Sequence, residues 1–406
     1  MAIDGPLSGI RVLDCTQAHA GPFGTLLLGD LGAEIIKIEP PTGDMLRLGQ
    51  EKVSPLLYYI VGLSRNKKSV VLDLSAPKGK QAFYDLVKIS DVVISNNRPD
   101  VPGRQGTDFE TLEKINPGII RVNISGYGET GPYSNFPSYD IIACGHSGIL
   151  SISGEPGRPP MTPGGIALAD MLGGFMAAFQ TLAALVGRGR DGKGAKLSPN
   201  LLDSLLLFQQ VMFQSYFVSG NPPGPQGNRH LVATPYGVYQ TSDGYITIGP
   251  TDADKVASLV GLGWMASDER FNSAMNRMLN RPAFEKHLED ALLKKTSAEW
   301  LKILRDENDI ACGPILNYGQ VINDPQVQEN KMIGQIEAGG QTVKTIGSVF
   351  KMPGKITGEP EPPPDLGQHT RQILESLLNY DDAAINEVIA ENEAALPRLK
   401  ARMKKL

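Results

Sequence analysis

Five short apolar runs dominate the first third of the sequence: Ile10–Cys15 (IRVLDC), Ala33–Glu39 (AEIIKIE), Ser69–Leu74 (SVVLDL), Asp91–Ser95 (DVVIS) and Ile119–Ser125 (IIRVNIS). Each is rich in β-branched residues, and each ends at a breaker or a polar loop, so each reads as a strand. Helical spacing fills three of the gaps, at Phe23–Leu31, Lys78–Ile89 and Phe109–Ile115. Strand, loop, helix, strand is a βαβ unit. Its regular repetition to about residue 128 predicts an α/β fold built on a Rossmann-like parallel, doubly wound sheet.

A second kind of segment follows. From Tyr139 a hydrophobic stretch passes into a Gly/Pro-rich loop, which runs into ALADMLGGF and an apolar helix over Met171–Gly187. Gly194–Ser198 reads as a short strand and Leu201–Val218 as one further helix. The breaker-rich Ser219–His230 marks a boundary. Beyond it, Val238–Gln240 and Tyr245–Ile248 flank Ser242-Asp243-Gly244, a hairpin signature. Residues 253–308 are helix-rich, and a helix is expected at Tyr318–Ile322. Val343–Phe350 returns to a β pattern, Glu359–Asp365 is a polyproline-like connector, and helices at 369–379 and 382–392 end the sequence. A length of 406 residues suggests two domains.

Composition removes several function classes. A formal net charge of −5 argues against general nucleic-acid binding but leaves room for a local basic pocket. The three cysteines are far apart and form no disulfide framework, which suits a reducing cytoplasm. Met1–Asp14 lacks the basic and apolar regions of a secretion signal. The apolar runs Met171–Val186 and Leu201–Phe217 are interrupted by Gln180, or by Asp203, Gln209 and Gln210, and read as buried helices rather than membrane spans. No metal site is expected, because the five histidines show no ligand spacing. Neither a G-x-S-x-G elbow nor a G-x-G-x-x-G dinucleotide loop is present.

The chemistry-bearing candidates are few. Asp170 is a carboxylate in an apolar surround, costly to bury unless hydrogen-bonded, paired or used. An aspartate before an apolar helix is also a favoured N-cap, and the two roles are compatible, since a helix N-terminus favours the ionised form. Arg47, Lys67, Lys68, Arg98 and Arg104 are expected at or after strand ends, where cations suit phosphates. His19, in a small-residue loop, is a ligand candidate or a satisfied loop residue. Glu39 stands where dinucleotide enzymes place a ribose carboxylate.

Taken together, LDCTQAHAGPFGTLLLGDLGAEIIKIEPPTGD, NKKSVVLDL, SDVVISNNRPD, INPGIIRVNISGYGETGPYSNFPSYD, ALADMLGGF, TPYGVYQTSDGYITI, ACGPILNYGQVINDPQV and LGQHTRQIL resemble the family III CoA-transferases, in order and over nearly the whole chain. The resemblance implies an acyl-CoA:carboxylate CoA-transferase with Asp170 as catalytic nucleophile. Coenzyme A, or acyl-CoA, would be a substrate rather than a bound cofactor. The family's CoA-binding positions fall on His19 and Ala20, on Leu72, Asp73, Leu74 and Ser75, and on Asn96, Asn97 and Arg98. Arg104, and then Pro137, Ser138, Tyr139 and Asp140, complete the set. An interlocked homodimer, or a heterodimer with a related subunit, is implied. So is a large domain drawn from both ends of the chain: 1–218 and 326–406, with a smaller α+β domain at 231–325.

Two departures qualify the match. Pro40 stands where some members have an arginine, and the glycine-rich acid-binding loop of the formyl-CoA member is replaced by residues 227–234, so oxalate is not the expected acceptor. Succinyl-CoA and acetyl-CoA are the first donors to consider. The aromatic segment Gln209–Phe217 would suit a bulky acid or plain helix core. The α-methylacyl-CoA racemases share the fold, but they carry a His-Asp pair where this sequence has Tyr139-Asp140. Exchange at an α-carbon needs a base on each face. The pairs Gly164-Gly165 and Gly173-Gly174 are candidates for backbone N–H donation to developing oxyanions.

Overall fold

The computed structural model describes residues 3–47, 58–231 and 233–403. The chain forms two compact units: Met1–Ile149 with Gly165–Gln214 and Glu329–Leu406, and Leu150–Gly164 with Ser215–Gln328.

The larger unit holds the sheet. Strands β1 (Arg11–Cys15), β2 (Glu34–Glu39), β3 (Lys67–Val71), β4 (Val92–Ser95), β5 (Ile120–Asn123) and β6 (Ala195–Leu197) lie in the order β3-β2-β1-β4-β5-β6. Every neighbouring pair is parallel. The order reverses between β1 and β4, and in such sheets ligands bind outside the carboxyl ends of the strands at that switch point. Leu13, Ile36, Val70 and Val93 of the sheet pack with Phe83 and Leu86 of the helix Pro77–Lys88. Ile373 and Leu374 of the helix Thr370–Leu378, and Ile385 and Val388 of the helix Asp382–Met403, join the same core. The C-terminal helices thus complete the sheet's cover.

The smaller unit contains an antiparallel sheet of β7 (Gly237–Gln240), β8 (Tyr245–Ile248) and β9 (Cys312–Pro314). Tyr239, Ile246, Phe271, Phe284, Leu288 and Trp300 form its core. The hairpin expected around Ser242-Asp243-Gly244 is the β7–β8 pair. The architecture is therefore α/β, with a parallel doubly wound sheet and a smaller α+β unit.

Several elements differ from their sequence patterns. The strand read as Ser69–Leu74 begins two residues earlier, at Lys67, and ends at Val71. Lys67 and Lys68 consequently stand at the entry of β3, not beyond its exit. Leu201–Val218 is two helices, Leu201–Phe208 and Gln210–Ser219, separated at Gln209. The Gln209 side-chain amide donates to the carbonyls of Ser147 (3.3 Å) and Leu205 (3.1 Å). None of Gln210–Ser219 is buried, so that segment is not helix core. The β pattern near 343 belongs to β11 (Gln341–Ile346), paired with β10 (Ile333–Ala338) through a turn at Gly339-Gly340, where φ is +56° and +73°.

The longest apolar helix runs over Leu168–Asp191, extending the expected segment at both ends. By length and composition it is long enough to cross a bilayer, which the sequence pattern alone understates. One face is committed to packing instead: Ala169, Gly173, Gly174, Ala177, Ala178 and Thr181 are buried. Opposite lies the first helix, Ala20–Asp30. A Cβ at Gly174 would stand 2.2 Å from the Ala20 carbonyl oxygen, and one at Gly24 would stand 2.7 Å from the Gly174 oxygen. Backbone meets backbone there, which explains the glycines.

Gly174→Ala is therefore expected to destabilise the protein by about 2 kcal/mol or more, because neither backbone can yield without moving a whole helix. Gly187→Ala, in the same helix with no atom within 4 Å of the new Cβ, should be neutral or stabilising by about 0.5–1 kcal/mol. Thermal denaturation of the two variants checks this; equal stability would show that the helices do not touch through Gly174.

Candidate active site

The site is built outward from a buried charge. Asp14, on β1, is fully buried, and its Oδ2 accepts from Thr25 Oγ1 (2.7 Å) and Lys67 Nζ (3.0 Å). Its Oδ1 accepts from the Thr16 amide at 3.0 Å. Lys67 also donates to the Pro22 carbonyl (2.9 Å) and to Thr25 Oγ1 (2.8 Å). Lys37, equally buried, donates to the Thr16 carbonyl at 2.9 Å and pairs with Asp44 Oδ2 at 2.9 Å. Asp44 Oδ1 in turn accepts from the Ala18 amide at 3.2 Å. The loop between β1 and the first helix is thus held at Thr16, Ala18 and Pro22 by charges beneath it. Burial opposes ionisation of Asp14, but Lys67 and Lys37 outweigh it and hold the carboxyl far below the usual range. Burial, with Lys37 adding to it, pulls Lys67 down to about 8 against the attraction of Asp14.

This arrangement reassigns several cations. Lys67 is consumed by Asp14, and Lys68 pairs with Glu34 Oε1 at 2.7 Å. Arg47 donates to Glu39 through Nε (2.7 Å) and Nη2 (3.0 Å). Glu39 also accepts from Ser69 Oγ at 2.6 Å and from the Asp44 amide at 3.0 Å. A buried glutamate so satisfied is a structural partner, not a free ribose acceptor.

The loop so fixed presents Gln17 to His19 at the switch point. Asn96, just past β4, clamps it: its Nδ2 donates to the Gln17 carbonyl (2.7 Å) and its Oδ1 accepts from the Gln17 amide (2.9 Å). Ala18 takes a left-handed φ of +62°, which turns His19 toward the long helix. Across the gap stands Asp170, in the first turn of that helix rather than at its N-cap, which is Ala167. The Asp170 amide donates to Asp140 Oδ1 at 3.1 Å, so Asp140 satisfies a helix-terminal N–H and leaves the Asp170 carboxylate free to face outward. His19 Nδ1 lies 3.9 Å from Asp170 Oδ2, and the Asp170 side chain keeps 22% exposure. Burial, followed by the nearby Asp140 charge, pushes the Asp170 carboxyl up to about 6. Burial lowers His19, with Asp140 opposing it.

Two cavities adjoin here. The first, about 300 Å³, is lined by His19, Ala20, Asn96, Asn97, Arg98, Pro137, Ser138, Tyr139 and Asp170. The second, about 340 Å³, is lined by Leu72, Asp73, Leu74 and Ser75, and shares Gln17 and Asn97 with the first. Of the site residues implied by the family resemblance, all but two line one of these cavities. Asp140 stands behind Asp170. Arg104 is exposed, pairs with Asp100 Oδ2 at 3.1 Å, and lines neither. Tyr139 is the extended residue that precedes the helix Asp140–His146, and it lines the first cavity. His146 stacks edgewise with Tyr127 and Tyr133, at 5.3 and 5.1 Å between ring centres. Gly173 and Gly174 are buried in the helix interior, where their role is packing, not donation to an oxyanion. Sequence reasoning missed Gln17 and Arg398. Gln17's neighbour His19 was a usable signal. For Arg398, 325 residues from its partner Asp73, there was none.

Comparison with known proteins identifies the family and the fold. Residues 7–370 match the family model described as CoA-transferase family III. The chain is 35% identical over 397 residues to a mouse succinyl-CoA:glutarate CoA-transferase, covering 95% of this chain and 89% of that one. It is 36% identical over 365 residues to an acetyl-CoA:oxalate CoA-transferase of Acetobacter aceti, covering 88% and 91%. The crystal structure of a CaiB/BaiF family protein from Brucella suis superposes with a TM-score of 0.82 at 30% identity, covering 92% of this chain and all of that one.

The electrostatics of Asp170 have a consequence for stability. Its folded-state pKa lies above that of an unfolded aspartate, so the folded protein binds this proton more tightly. That contribution is fully present below about pH 4 and is lost as pH rises through about 6. At pH 8 the ionised carboxylate therefore costs the fold up to about 3 kcal/mol. Asp170→Asn is expected to raise Tm at pH 8 and to leave it nearly unchanged at pH 4. A lower Tm at pH 8 would show that the carboxylate is stabilising.

Proposed function

We propose, for a chain that belongs to CoA-transferase family III and transfers CoA between an acyl-CoA and a carboxylic acid, that Asp170 is the nucleophile that carries both acyl groups in turn. The observation that carries this reading is its position: a half-buried carboxylate, free of hydrogen-bond donors among the described side chains, facing a cavity at the sheet's switch point. Asp170 attacks the donor thioester carbonyl, forming an aspartyl–acyl anhydride and releasing CoA thiolate. The thiolate attacks the aspartyl carbonyl, which frees the donor acid and leaves an aspartyl-CoA thioester. The acceptor carboxylate displaces the thiolate from that carbonyl, forming a second anhydride. Thiolate attack on the acceptor's carbonyl then gives the new acyl-CoA and regenerates Asp170. Each intermediate keeps the activation of the original thioester, provided water is excluded.

The CoA chain runs from Asp170 past His19, Ala20 and Asn96–Arg98 to Leu72–Ser75, with Pro137–Tyr139 as the opposite wall. Succinyl-CoA, or acetyl-CoA, is the proposed donor and a small dicarboxylic acid the acceptor, in keeping with the activities named for the relatives. The assembly is an interlocked homodimer, or a heterodimer with a related chain. Support comes from an apolar surface on the larger unit, where Phe179 is 58% and Val211 80% exposed, beside Phe175 and Phe208. A cytoplasmic location fits the three free cysteines.

Asp170→Ala is expected to lower transfer by about a thousandfold or more while leaving CoA binding intact. In the wild type, rapid quenching with donor alone should show a CoA adduct on the peptide carrying Asp170, cleaved by hydroxylamine. Near-normal turnover in the variant, or an adduct elsewhere, would sink the mechanism. Because the ionised carboxylate is the attacking form, kcat/KM should fall as pH drops through about 6. No α-deuterium should enter the acyl group in D₂O, which a racemase would incorporate.

A further inference from the structure

The second cavity has a cation that the sequence did not point to. The helix Asp382–Met403 returns across the end of β3 and is locked there by Asn392, which is buried. Asn392 Nδ2 donates to the Val71 carbonyl at 2.8 Å, and its Oδ1 accepts from the Asp73 amide at 2.8 Å. Farther along the same helix, Arg398 Nη2 donates to Asp73 Oδ2 (3.2 Å) and Ser75 Oγ (3.0 Å) on the cavity wall. The contact with Asp73 is an ion pair, but the Arg398 side chain is 65% exposed and lines the cavity, and a guanidinium has more N–H donors than these two contacts use. Among the described residues lining this cavity, Arg398 is the single lysine or arginine. Arg98 holds the same position in the first cavity. Arg47, Lys67 and Lys68 are paired elsewhere, and Pro40 lines the second cavity without contributing a charge.

A substrate that starts at Asp170 and passes Gln17 and Asn97 reaches this cavity with its far end. For CoA, that end is the nucleotide, and its distinguishing group is a phosphomonoester on the ribose. We propose that Arg398, delivered by the C-terminal helix, is the residue that binds this phosphomonoester. The inference rests on the CoA reading above. A monoester dianion suits the site because guanidinium forks onto phosphate through paired N–H groups.

The test measures binding of CoA and of 3′-dephospho-CoA by calorimetry, in the wild type, Arg398→Ala and Arg398→Gln. Glutamine keeps a donor for Asp73 and Ser75 while removing the charge, so it guards against simple loosening of the helix. The wild type should prefer CoA by about tenfold to a hundredfold, and both variants should bind the two compounds within about twofold of each other. In turnover, the loss should fall on KM for the acyl-CoA with kcat retained. A preference unchanged in Arg398→Gln, or equal losses for both compounds, would overturn the assignment. A wild type that bound neither compound would instead overturn the CoA reading itself.

Discussion

The ion pair between Asp14 and Lys67 is the interaction on which the site's geometry depends. It sits beneath the loop that follows β1, fully buried, and it is hydrogen-bonded on every side. Removing one partner of such a pair costs about 3–5 kcal/mol, because the other is left charged and unsatisfied. The pair does more than hold β1 to β3. Through Thr16, Pro22 and Thr25 it fixes where the first helix begins, and through Lys37 and Asp44 it fixes the backbone at Ala18. A hydrophobic core of equal stability would leave that loop free to choose among conformations. The buried polar network leaves it one.

The electrostatic character of Asp170 is set by its burial and by Asp140. A carboxylate in the first turn of a helix is normally favoured by the helix's positive end. Here the amide of Asp170 is taken by Asp140, and the negative charge of Asp140 works against ionisation. His19, the nearest cationic candidate, is itself lowered by burial, so it offers little compensating charge. The result is a carboxylate whose charged form is under-stabilised, which is the state a nucleophile needs. Geometry and charge come from separate elements, the β1 loop and the short helix at Asp140, meeting at one atom group.

How much of this was legible depends on the range over which each signal acts. The sheet was legible because β-branched runs and helical spacing are local: β1, β2, β4 and β5 lie within the regions they marked, and β3 overlaps its own. Asp170 was legible as a candidate because a lone carboxylate among ALADMLGGF is a local anomaly. Element ends were less so. Lys67 entered the strand and Asp170 entered the helix because partners distant in sequence, Asp14 and Asp140, satisfied them there. The strand-end cations show the limit most clearly. Arg47, Lys67 and Lys68 are basic residues of the right type in the right region, yet each has a carboxylate partner that only the folded chain reveals.

That consumption of charge has an architectural corollary. Lys67 and Lys68 stand at the entry of β3 and pair with Asp14 and Glu34, and Arg47, beyond β2, is taken by Glu39, so among the described residues the carboxyl edge of these two strands lacks an exposed cation of its own for a phosphate. The chain supplies one from its other end. Asn392 and Arg398 reach the same loop that begins at Leu72, so the last helix is both a cover for the sheet and a wall of the cleft. A fold in which the C-terminal segment only capped the hydrophobic core would not need Asn392, buried against the backbone of Val71 and Asp73. Its presence there argues that the position of this helix is held to hydrogen-bond accuracy, and a surface cation held that well is more constrained than packing requires.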